Sequence, residues 1–267
     1  FDKRKGKPSW KKVPTLEVEK VLSLYRDQYY DLKVRHFHEK LCEQHDIHWS
    51  YTWVKNVLQG AGLIKQTRTR QPHRKRRPRR PLPGMLLHID GSHHQWFCDG
   101  RWYDLLVILD DATSEIYYAQ LVDDESTRTV MRALRQVIEQ HGIFCALYSD
   151  RATHFFFTPK GGGPVDHRQR TEVGRAMDEL GIQTIPAYSP QARGRSERSF
   201  RTWQGRLPQE LRLAGIPTVD EANRFLDHRY IREFNQKFTV PAAQTGTAFL
   251  PTQRTDLDRI FSIHHDR

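Results

Sequence analysis

The sequence predicts an α/β protein in which a mixed five-stranded sheet with helices on its faces is preceded by an all-α helix-turn-helix domain. Two changes along the chain predict this. Apolar residues follow a helical spacing over 15–64, whereas from Met85 onwards short apolar runs alternate with helical patterns. A basic, proline-rich stretch separates the two regions. The predicted parts are a helix-turn-helix domain at 1–64, a linker at 65–83, an α/β domain at 84–240 and a C-terminal extension at 241–267.

The positive charge of the chain is concentrated in its first third. The formal net charge is +11, and residues 1–80 hold 21 Lys and Arg against 8 Asp and Glu, whereas residues 81–267 hold 22 against 24. No acidic residue lies between Ile47 and Ile89. Because each cation that neutralises a phosphate releases a condensed counterion, this region predicts binding to nucleic acid. A solvated basic tail or a nuclear-targeting run is the alternative.

Composition excludes several classes of protein. Hydrophobic residues at 37% and aromatic residues at 11% exclude a wholly disordered chain. No run approaches the ~18 apolar residues of a membrane helix, and no apolar segment of a secretion signal follows the basic N-terminus. The cysteines, Cys42, Cys98 and Cys145, are odd in number and widely spaced, which favours free thiols in a reducing compartment. We expect a soluble protein without a membrane partner. Because the sequence starts at Phe1 and not at a methionine, we also expect that flanking domains have been removed.

Three helices are predicted in the N-terminal domain. They cover 17–32, 34–45 and 51–59, with Ser50 as the N-cap of the third. The short connection before Ser50 predicts a helix-turn-helix, whose second helix would lie in a DNA major groove. An ordinary three-helix packing unit is the alternative. The polar face of that helix carries the candidate DNA-binding residues Tyr51, Thr52, Lys55 and Asn56.

The predicted linker combines positive charge with proline. Four prolines between residues 72 and 83 oppose both helix and sheet formation, so an extended segment that follows DNA phosphates is expected. Its candidate DNA contacts are Arg68, Arg70, Arg74, Lys75, Arg76, Arg77, Arg79 and Arg80.

The α/β domain shows strands first and alternating helices and strands afterwards. Strands are predicted over 85–90, 95–97, 102–109, 116–122, 144–150 and 182–185. Helices are predicted over 126–140, 172–180 and 195–213, and Pro208 should kink or end the last of them. Three antiparallel strands followed by alternating helix and strand are the order of a ribonuclease H-like core.

Three carboxylates stand at places in this order where chemistry is expected. Asp90 closes the first strand and Asp150 the fourth, so neighbouring strands would bring them to one edge, and Glu197 near the start of the last helix could lean over it. Three such oxygen ligands suit Mg²⁺ or Mn²⁺, which in pairs clamp the attacking and leaving oxygens of a phosphoryl displacement. Each residue also has a structural alternative. Asp90 could form a turn, Asp150 could cap a helix or form a surface ion pair, and Glu197 could pair with Arg201.

Other polar residues near these carboxylates have competing interpretations. We interpret Asp110 and Asp111 as a hairpin turn, and residues 123–125 as the negatively charged approach to a helix. His154 is a candidate for orienting a water or a phosphate. The dense group His36, His38, Cys42, His45 and His48 lacks a recognisable zinc spacing, so no zinc site is predicted there. Phosphate contacts, with solvent-exposed charges as the alternative, are assigned to Arg193, Arg195, Arg198 and Arg201.

Three segments resemble a known family. LLHIDGS around Asp90, LYSDRATHF around Asp150 and IPAYSPQARGRSERSFRTWQGRLPQEL around Glu197 resemble the catalytic segments of insertion-sequence transposases with a retroviral-integrase-like core, the DDE family. AGLIK at 61–65 and YIREFNQKF from Tyr230 resemble bacterial members. The 46 residues between Asp150 and Glu197 exceed the family's commonest interval, which indicates an inserted loop at 155–170.

The resemblance implies that Asp90, Asp150 and Glu197 bind Mg²⁺ (or Mn²⁺), two ions per active site. It also implies a transposase that exposes a 3′-hydroxyl at each transposon end and joins it to target DNA. Expected partners are double-stranded DNA, as terminal inverted repeats and target, and further copies of the chain in a homodimer or larger synaptic assembly. The expected location is the bacterial cytoplasm, in association with the nucleoid. The alternatives are a ribonuclease H-like nuclease or resolvase without strand transfer, and a non-catalytic helix-turn-helix regulator.

Overall fold

The computed structural model describes residues 13–65, 77–160, 163–166, 168–188, 194–252 and 256–264. The chain divides into two compact units, 1–75 and 76–267, so the division falls inside the predicted linker. Some of the predicted DNA contacts lie outside the described residues, namely Arg68, Arg70, Arg74, Lys75, Arg76 and Arg193.

Three helices make up the described part of the first unit, as predicted. They are α1 (Thr15–Asp27), α2 (Val34–His45) and α3 (Tyr51–Gly60). The predicted cap of α3 is confirmed, because the Ser50 hydroxyl accepts a hydrogen bond from the Trp53 N–H at 3.2 Å. Helix α1 is shorter than predicted. The Tyr25 hydroxyl donates to the Leu32 carbonyl at 3.1 Å, so the apolar pattern continues through a buried turn beyond the helix.

A five-stranded sheet in the order β3-β2-β1-β4-β5 forms the centre of the second unit. Strands β1, β2 and β3 are antiparallel, and β4 pairs in parallel with both β1 and β5. This mixed sheet confirms the predicted ribonuclease H-like architecture. The strands are β1 (Leu87–His94), β2 (Tyr103–Asp110), β3 (Ile116–Val122), β4 (Ala146–Ser149) and β5 (Gln183–Pro186).

Two details of the predicted strands are wrong. Strand β1 does not end at Asp90, because it stays paired with β2 as far as His94 opposite Tyr103. Residues 95–97 form no strand but begin a turn. The buried Trp96 in this turn donates its indole N–H to the Tyr103 carbonyl at 2.9 Å, and its burial produced the strand-like pattern.

Helices cover both faces of the sheet because the buried side chains of β2 alternate. Leu106 and Ile108 face one apolar cluster, and Leu105 and Val107 face the other. The first cluster contains α4 (Thr127–His141), α5 (Glu172–Glu179) and α10 (Leu257–Ile260). The second contains α6 (Gly194–Gln204), α7 (Leu207–Leu213), α8 (Val219–Phe225) and α9 (Ile231–Phe238), with a π-helical turn, Leu226–Tyr230, before α9.

The predicted break in the last helix is confirmed at Pro208. Helix α6 ends at Gln204, and Pro208 lies in the first turn of α7, where a proline costs no backbone hydrogen bond. Within the described ranges, none of the helices combines the length and the apolar character needed to cross a membrane.

Two asparagines on the helices complete the edge strand β3. The amide of Asn223 in α8 bonds the N–H and carbonyl of Leu121 at 2.7 and 2.9 Å. The amide of Asn235 in α9 bonds the same groups of Ile116 at 2.8 and 2.9 Å. An edge strand otherwise presents unpaired backbone groups, so these amides satisfy them at two places.

The segment after residue 240 packs on the second unit. The Ala248 N–H donates to the Pro83 carbonyl at 2.8 Å, and Ile143 and Leu250 form an antiparallel bridge. Leu257 and Ile260 of α10 lie in the apolar cluster of α4 and α5. The described part of the predicted C-terminal extension therefore belongs to the core of this unit.

We predict that Ile260→Ala lowers the free energy of unfolding by about 2–5 kcal/mol, because it removes a fully buried side chain from this cluster. The control Ile263→Ala truncates a side chain that is 38% exposed, and it should cost less than about 0.5 kcal/mol. Urea unfolding followed by circular dichroism measures both. Equal effects would show that α10 does not stabilise the core.

Candidate active site

Asp90 lies on β1, and Asp150 directly follows β4, the strand that pairs with β1 in parallel. Leu87 of β1 lies opposite Leu147 of β4, and the next residues are also paired. If this register were continued two residues beyond the paired ones, Asp90 would stand opposite Asp150, and opposed residues of parallel strands share a face of the sheet. Asp90 is buried, whereas Asp150 is partly exposed and accepts the Ala152 N–H at 3.0 Å. The strand pairing is consistent with the prediction that these two residues share a site, and the shared site stays a prediction.

Glu197 lies on α6, which packs over the same face of β1. The Gln204 side-chain amide donates to the Ser92 hydroxyl at 3.0 Å, and Ser92 shares a strand face with Asp90 because the two are two residues apart. Glu197 and Gln204 are seven residues apart, about two helical turns, so they lie on the same flank of α6. The flank that contacts β1 beside Asp90 therefore also carries Glu197, whose side chain is exposed.

The three carboxylates are not gathered into one cluster. Among the described residues, no group of three or more His, Cys, Asp or Glu side chains is placed to hold a metal ion. Asp90 lies on β1 and Asp150 directly after the neighbouring β4, and Glu197 lies on the helix whose Gln204 contacts β1 at Ser92. Three carboxylates are nevertheless the hard oxygen donors that Mg²⁺ and Mn²⁺ prefer. The residues therefore fit a divalent cation in their chemistry, and their gathering around one stays a prediction.

Asp111, at the end of β2, is the centre of a buried polar cluster. Its carboxylate accepts hydrogen bonds from the Arg77 guanidinium and the Arg80 N–H and contacts His88 Nε2, each at 2.8 Å. Burial raises its pKa, but the bonds from His88 and Arg80 and the charge of Arg195 outweigh burial and hold the pKa well below its usual range. Asp111 is therefore ionised and fully paired in the interior.

Asp110 closes the turn between β2 and β3, as interpreted from the sequence. Its carboxylate accepts the Thr113 N–H at 2.8 Å, the Thr113 hydroxyl at 3.1 Å and the Gly84 N–H at 2.9 Å. Burial raises the pKa of Asp110. Both aspartates of this turn thus have structural partners.

Arg195, predicted to contact phosphate, is bound to protein groups. One guanidinium nitrogen donates to the Asp111 carbonyl and lies 3.3 Å from its carboxylate, and the other donates to the carbonyls of Arg77 and Pro78 at 2.8 and 3.0 Å. Arg79 donates to the Asp111 and Ala112 carbonyls. Among the other predicted contacts, exposed side chains are those of Arg80, Arg198 and Arg201.

The predicted DNA-binding face of α3 is presented to solvent. Its four candidates, Tyr51, Thr52, Lys55 and Asn56, are exposed. Val54 and Leu58 on the opposite face are buried. Two histidines of the dense group in this unit have local partners: His38 Nε2 lies 2.8 Å from the Trp49 carbonyl, and His45 Nε2 lies 3.0 Å from the Tyr29 hydroxyl.

Glu125 pairs with His154, a contact that the sequence does not predict. Their side chains are 20% and 13% exposed, and His154 Nε2 lies 2.9 Å from Glu125 Oε1. The other carboxylate oxygen of Glu125 fills the space that a Cβ at Gly91 would occupy. Glu125 therefore does more than precede a helix, because it packs on the backbone beside Asp90. The glycine directly after Asp90 is the one sequence signal that pointed to this contact.

We predict that Gly91→Ala lowers the free energy of unfolding by about 1 kcal/mol, because the new methyl group displaces the Glu125 carboxylate and with it the contact to His154. In a Glu125→Ala background there is no carboxylate to displace, and the same substitution should cost less than about 0.5 kcal/mol. Urea unfolding of the four variants measures the coupling. An equal cost in both backgrounds would contradict the packing of Glu125 on Gly91.

The chain is similar in sequence to bacterial transposases. It is 34% identical over 265 residues to a putative transposase, y4bF, of Sinorhizobium fredii (strain NBRC 101917 / NGR234), covering 98% of this chain and 55% of that protein. It is 29% identical over 260 residues to the transposase for insertion sequence IS1202 of Streptococcus pneumoniae, covering 85% of this chain and 56% of that protein. The chain thus spans about half the length of the curated relatives it matches. These relatives confirm the resemblance to insertion-sequence transposases. No protein-family model matches the chain.

Solved structures with some likeness to this fold are viral integrases. A chain of the simian T-cell lymphotropic virus intasome in complex with PP2A regulatory subunit B56 gamma has a TM-score of 0.47 at 17% identity, covering 78% of this chain and 73% of that chain. The HTLV-2 integrase catalytic core domain in complex with magnesium, in its dimeric form, has a TM-score of 0.41 at 16% identity, covering 56% and 90%.

Proposed function

We propose that this chain is the DNA-binding and catalytic part of a DDE-type insertion-sequence transposase. In the first reaction, a water oxygen bonds to phosphorus at the transposon end, and the bond from phosphorus to the 3′-oxygen breaks, which leaves a 3′-hydroxyl. In the second, that hydroxyl oxygen bonds to a target phosphorus, and a target 3′-oxygen leaves. A transposase of this kind would act on double-stranded DNA of the bacterial nucleoid.

The observation that carries this proposal is the parallel pairing of β1, which holds Asp90, with β4, which Asp150 directly follows. It supports a shared site because two acids far apart along the chain belong to neighbouring strands, and the helix that bears Glu197 contacts β1 at Ser92. Sequence similarity to transposases over 98% of the chain supports the same assignment independently. Acidic residues that served only as turn formers or surface charges would have no reason to lie at neighbouring strands of the sheet.

Asp90, Asp150 and Glu197 would hold Mg²⁺ or Mn²⁺, two ions per site in this proposal. When bound, such ions supply positive charge at the attacking and leaving oxygens of the displaced phosphoryl group. The chain's own contribution is to hold the three carboxylates and to orient the DNA. The exposed Arg198 and Arg201 lie one and four residues after Glu197 on α6, so they are suited to contact the phosphates beside the cleaved bond.

Recognition of the transposon end is assigned to the first unit. The exposed face of α3 offers Lys55 to phosphates and Asn56 to a base edge, which are pairings of the kind a recognition helix makes. The basic stretch at 65–80 would add sequence-independent affinity. Since two ends must be cut and joined together, a homodimer or larger synaptic assembly is part of the proposal.

We predict that Asp90→Asn, Asp150→Asn and Glu197→Gln each reduce cleavage by about a thousandfold or more, since each removes a charge that would hold the cations. DNA affinity should be retained, because none of the three lies on the DNA-binding face of α3. The assay is Mg²⁺-dependent cleavage and joining of a duplex selected for binding from a random library. The control Asp124→Asn changes an exposed acid before α4 and should leave the rate unchanged.

Each rival function has its own outcome in this assay. Cleavage without a joined product, even from a pre-cut end, would favour a nuclease or resolvase. Binding without cleavage in the unmodified chain, unaffected by Asp90→Asn or Asp150→Asn, would favour a regulator and contradict the proposal.

We predict that Lys55→Ala weakens binding to all duplexes and lowers the salt slope of log K by about one, because it removes one phosphate contact. Asn56→Ala should instead reduce discrimination of the selected sequence, by about 1–3 kcal/mol. Fluorescence anisotropy at several salt concentrations measures both. Lys20→Ala, at an exposed lysine on α1, is the control and should leave specificity intact. Normal affinity and specificity in both α3 variants would refute recognition by this helix.

A further inference from the structure

Helix α6 is held by polar contacts near each of its ends, and at the first turn Arg195 also donates to the carbonyls of Arg77 and Pro78. At its C-terminal end the Gln204 side chain bonds Ser92 of β1 at 3.0 Å. At its first turn Arg195 bonds the Asp111 carbonyl and lies 3.3 Å from the Asp111 carboxylate. Arg195 and Gln204 are nine residues apart, a rotation of about 180°, so the two contacts hold opposite flanks of the helix. Together these contacts fix the distance of α6 from β1 and the rotation of α6 about its own axis.

Glu197 lies two residues after Arg195, within the turn that the Asp111 contact holds. Its own side chain is exposed, and Arg198 beside it is exposed as well. The neighbouring Ser196 is buried, but it is small. The next large buried side chain of the helix is Phe200, one turn further on.

Arg195 holds the first turn of α6 through the carbonyls of Asp111, Arg77 and Pro78 and through its ion pair with the Asp111 carboxylate. The same carboxylate binds the Arg77 guanidinium and the Arg80 N–H, so it also holds the segment that supplies two of these carbonyls.

Asp111 is built to hold this position rigidly. Its side chain is 1% exposed, and it is bonded at the same time to the Arg80 N–H, to Arg77 and to His88. His88 lies two residues before Asp90 on the same strand face. The carboxylate thus joins the strand that carries Asp90 to the turn that carries Glu197.

The geometry points to Asp111 as a positioning residue of the active site, which acts through Arg195 to set the first turn of α6 and with it Glu197. The role in the active site rests on the proposed function. The hold of Asp111 on the first turn of α6 does not depend on that function. The inference assigns to Asp111 no contact with DNA or with a cation.

The test compares Asp111→Asn with Asp110→Asn, which changes the adjacent buried carboxylate of the same turn. In the described contacts Asp110 is bonded to Gly84 and Thr113 and not to α6. Both variants should therefore lower the stability of the fold, but only Asp111→Asn should loosen α6. In the full chain, hydrogen exchange of the peptide covering 194–204 should speed up in Asp111→Asn and match the unmodified chain in Asp110→Asn. Equal exchange of this peptide in both variants would overturn the inference.

Catalysis supplies the second measurement. The Mg²⁺ concentration for half-maximal cleavage should rise about 10- to 100-fold in Asp111→Asn, the range found when groups that orient metal ligands are removed. It should stay unchanged in Asp110→Asn. If Asp111→Asn fails to fold, Arg195→Gln replaces it, since this partly exposed residue supplies the other half of the contact. The double variant Asp111→Asn/Arg195→Gln should need no higher Mg²⁺ concentration for half-maximal cleavage than either single variant. Additive effects of the two substitutions would contradict action through Arg195.

Failure of the inference and failure of the proposed function give different results. If the unmodified chain never cleaves DNA, the proposed function fails, and hydrogen exchange still decides whether Asp111 holds α6. If it cleaves and neither exchange nor Mg²⁺ dependence distinguishes the two aspartates, only the positioning role is refuted.

Discussion

A charged carboxylate in the protein interior has to be paired, because removing it from water costs several kcal/mol even after relaxation. Asp111 meets this requirement with groups from separate parts of the chain: the residues that enter the second unit, strand β1 and helix α6. None of these partners is optional while the carboxylate stays buried and ionised. The charge therefore couples the folding of the β2–β3 turn to the docking of the helix that covers the sheet.

The side chains of the central strand β1 alternate between an apolar face and a polar face of the sheet. Leu87 and Ile89 point into the apolar cluster of α4 and α5, whereas His88, Asp90 and Ser92 face α6. The bond of Gln204 to Ser92 thus falls on the same row as Asp90, and His88 of this row contacts Asp111, the partner of Arg195. Because a shift of one residue in the β1–β2 register would exchange these rows, the packing of the apolar face also fixes where the carboxylate points.

The order of strands and helices was predictable because hydrophobic periodicity and proline are local signals. The break before Pro208 and the cap at Ser50 belong to this class, whereas the end of β1 does not, because Asp90 lies in the middle of that strand. The partners of Asp111 were not predictable. Arg77 and Arg195 lie 34 and 84 residues away, and no local pattern distinguishes an arginine that binds protein from one that binds phosphate. The pairing of Glu125 with His154, 29 residues apart, was hidden for the same reason.

The amides of Asn223 and Asn235 have a consequence for how copies of this chain can meet. An open edge strand invites a strand from a neighbouring molecule, and natural proteins block such edges. Here two side chains from helices already occupy backbone groups along β3, at Leu121 and Ile116. The opposite edge, β5, is only four residues long and ends at a proline. Both borders of the sheet are thus poorly suited to continuation into another molecule, and an assembly of the kind proposed above would use helices, loops or bound DNA instead.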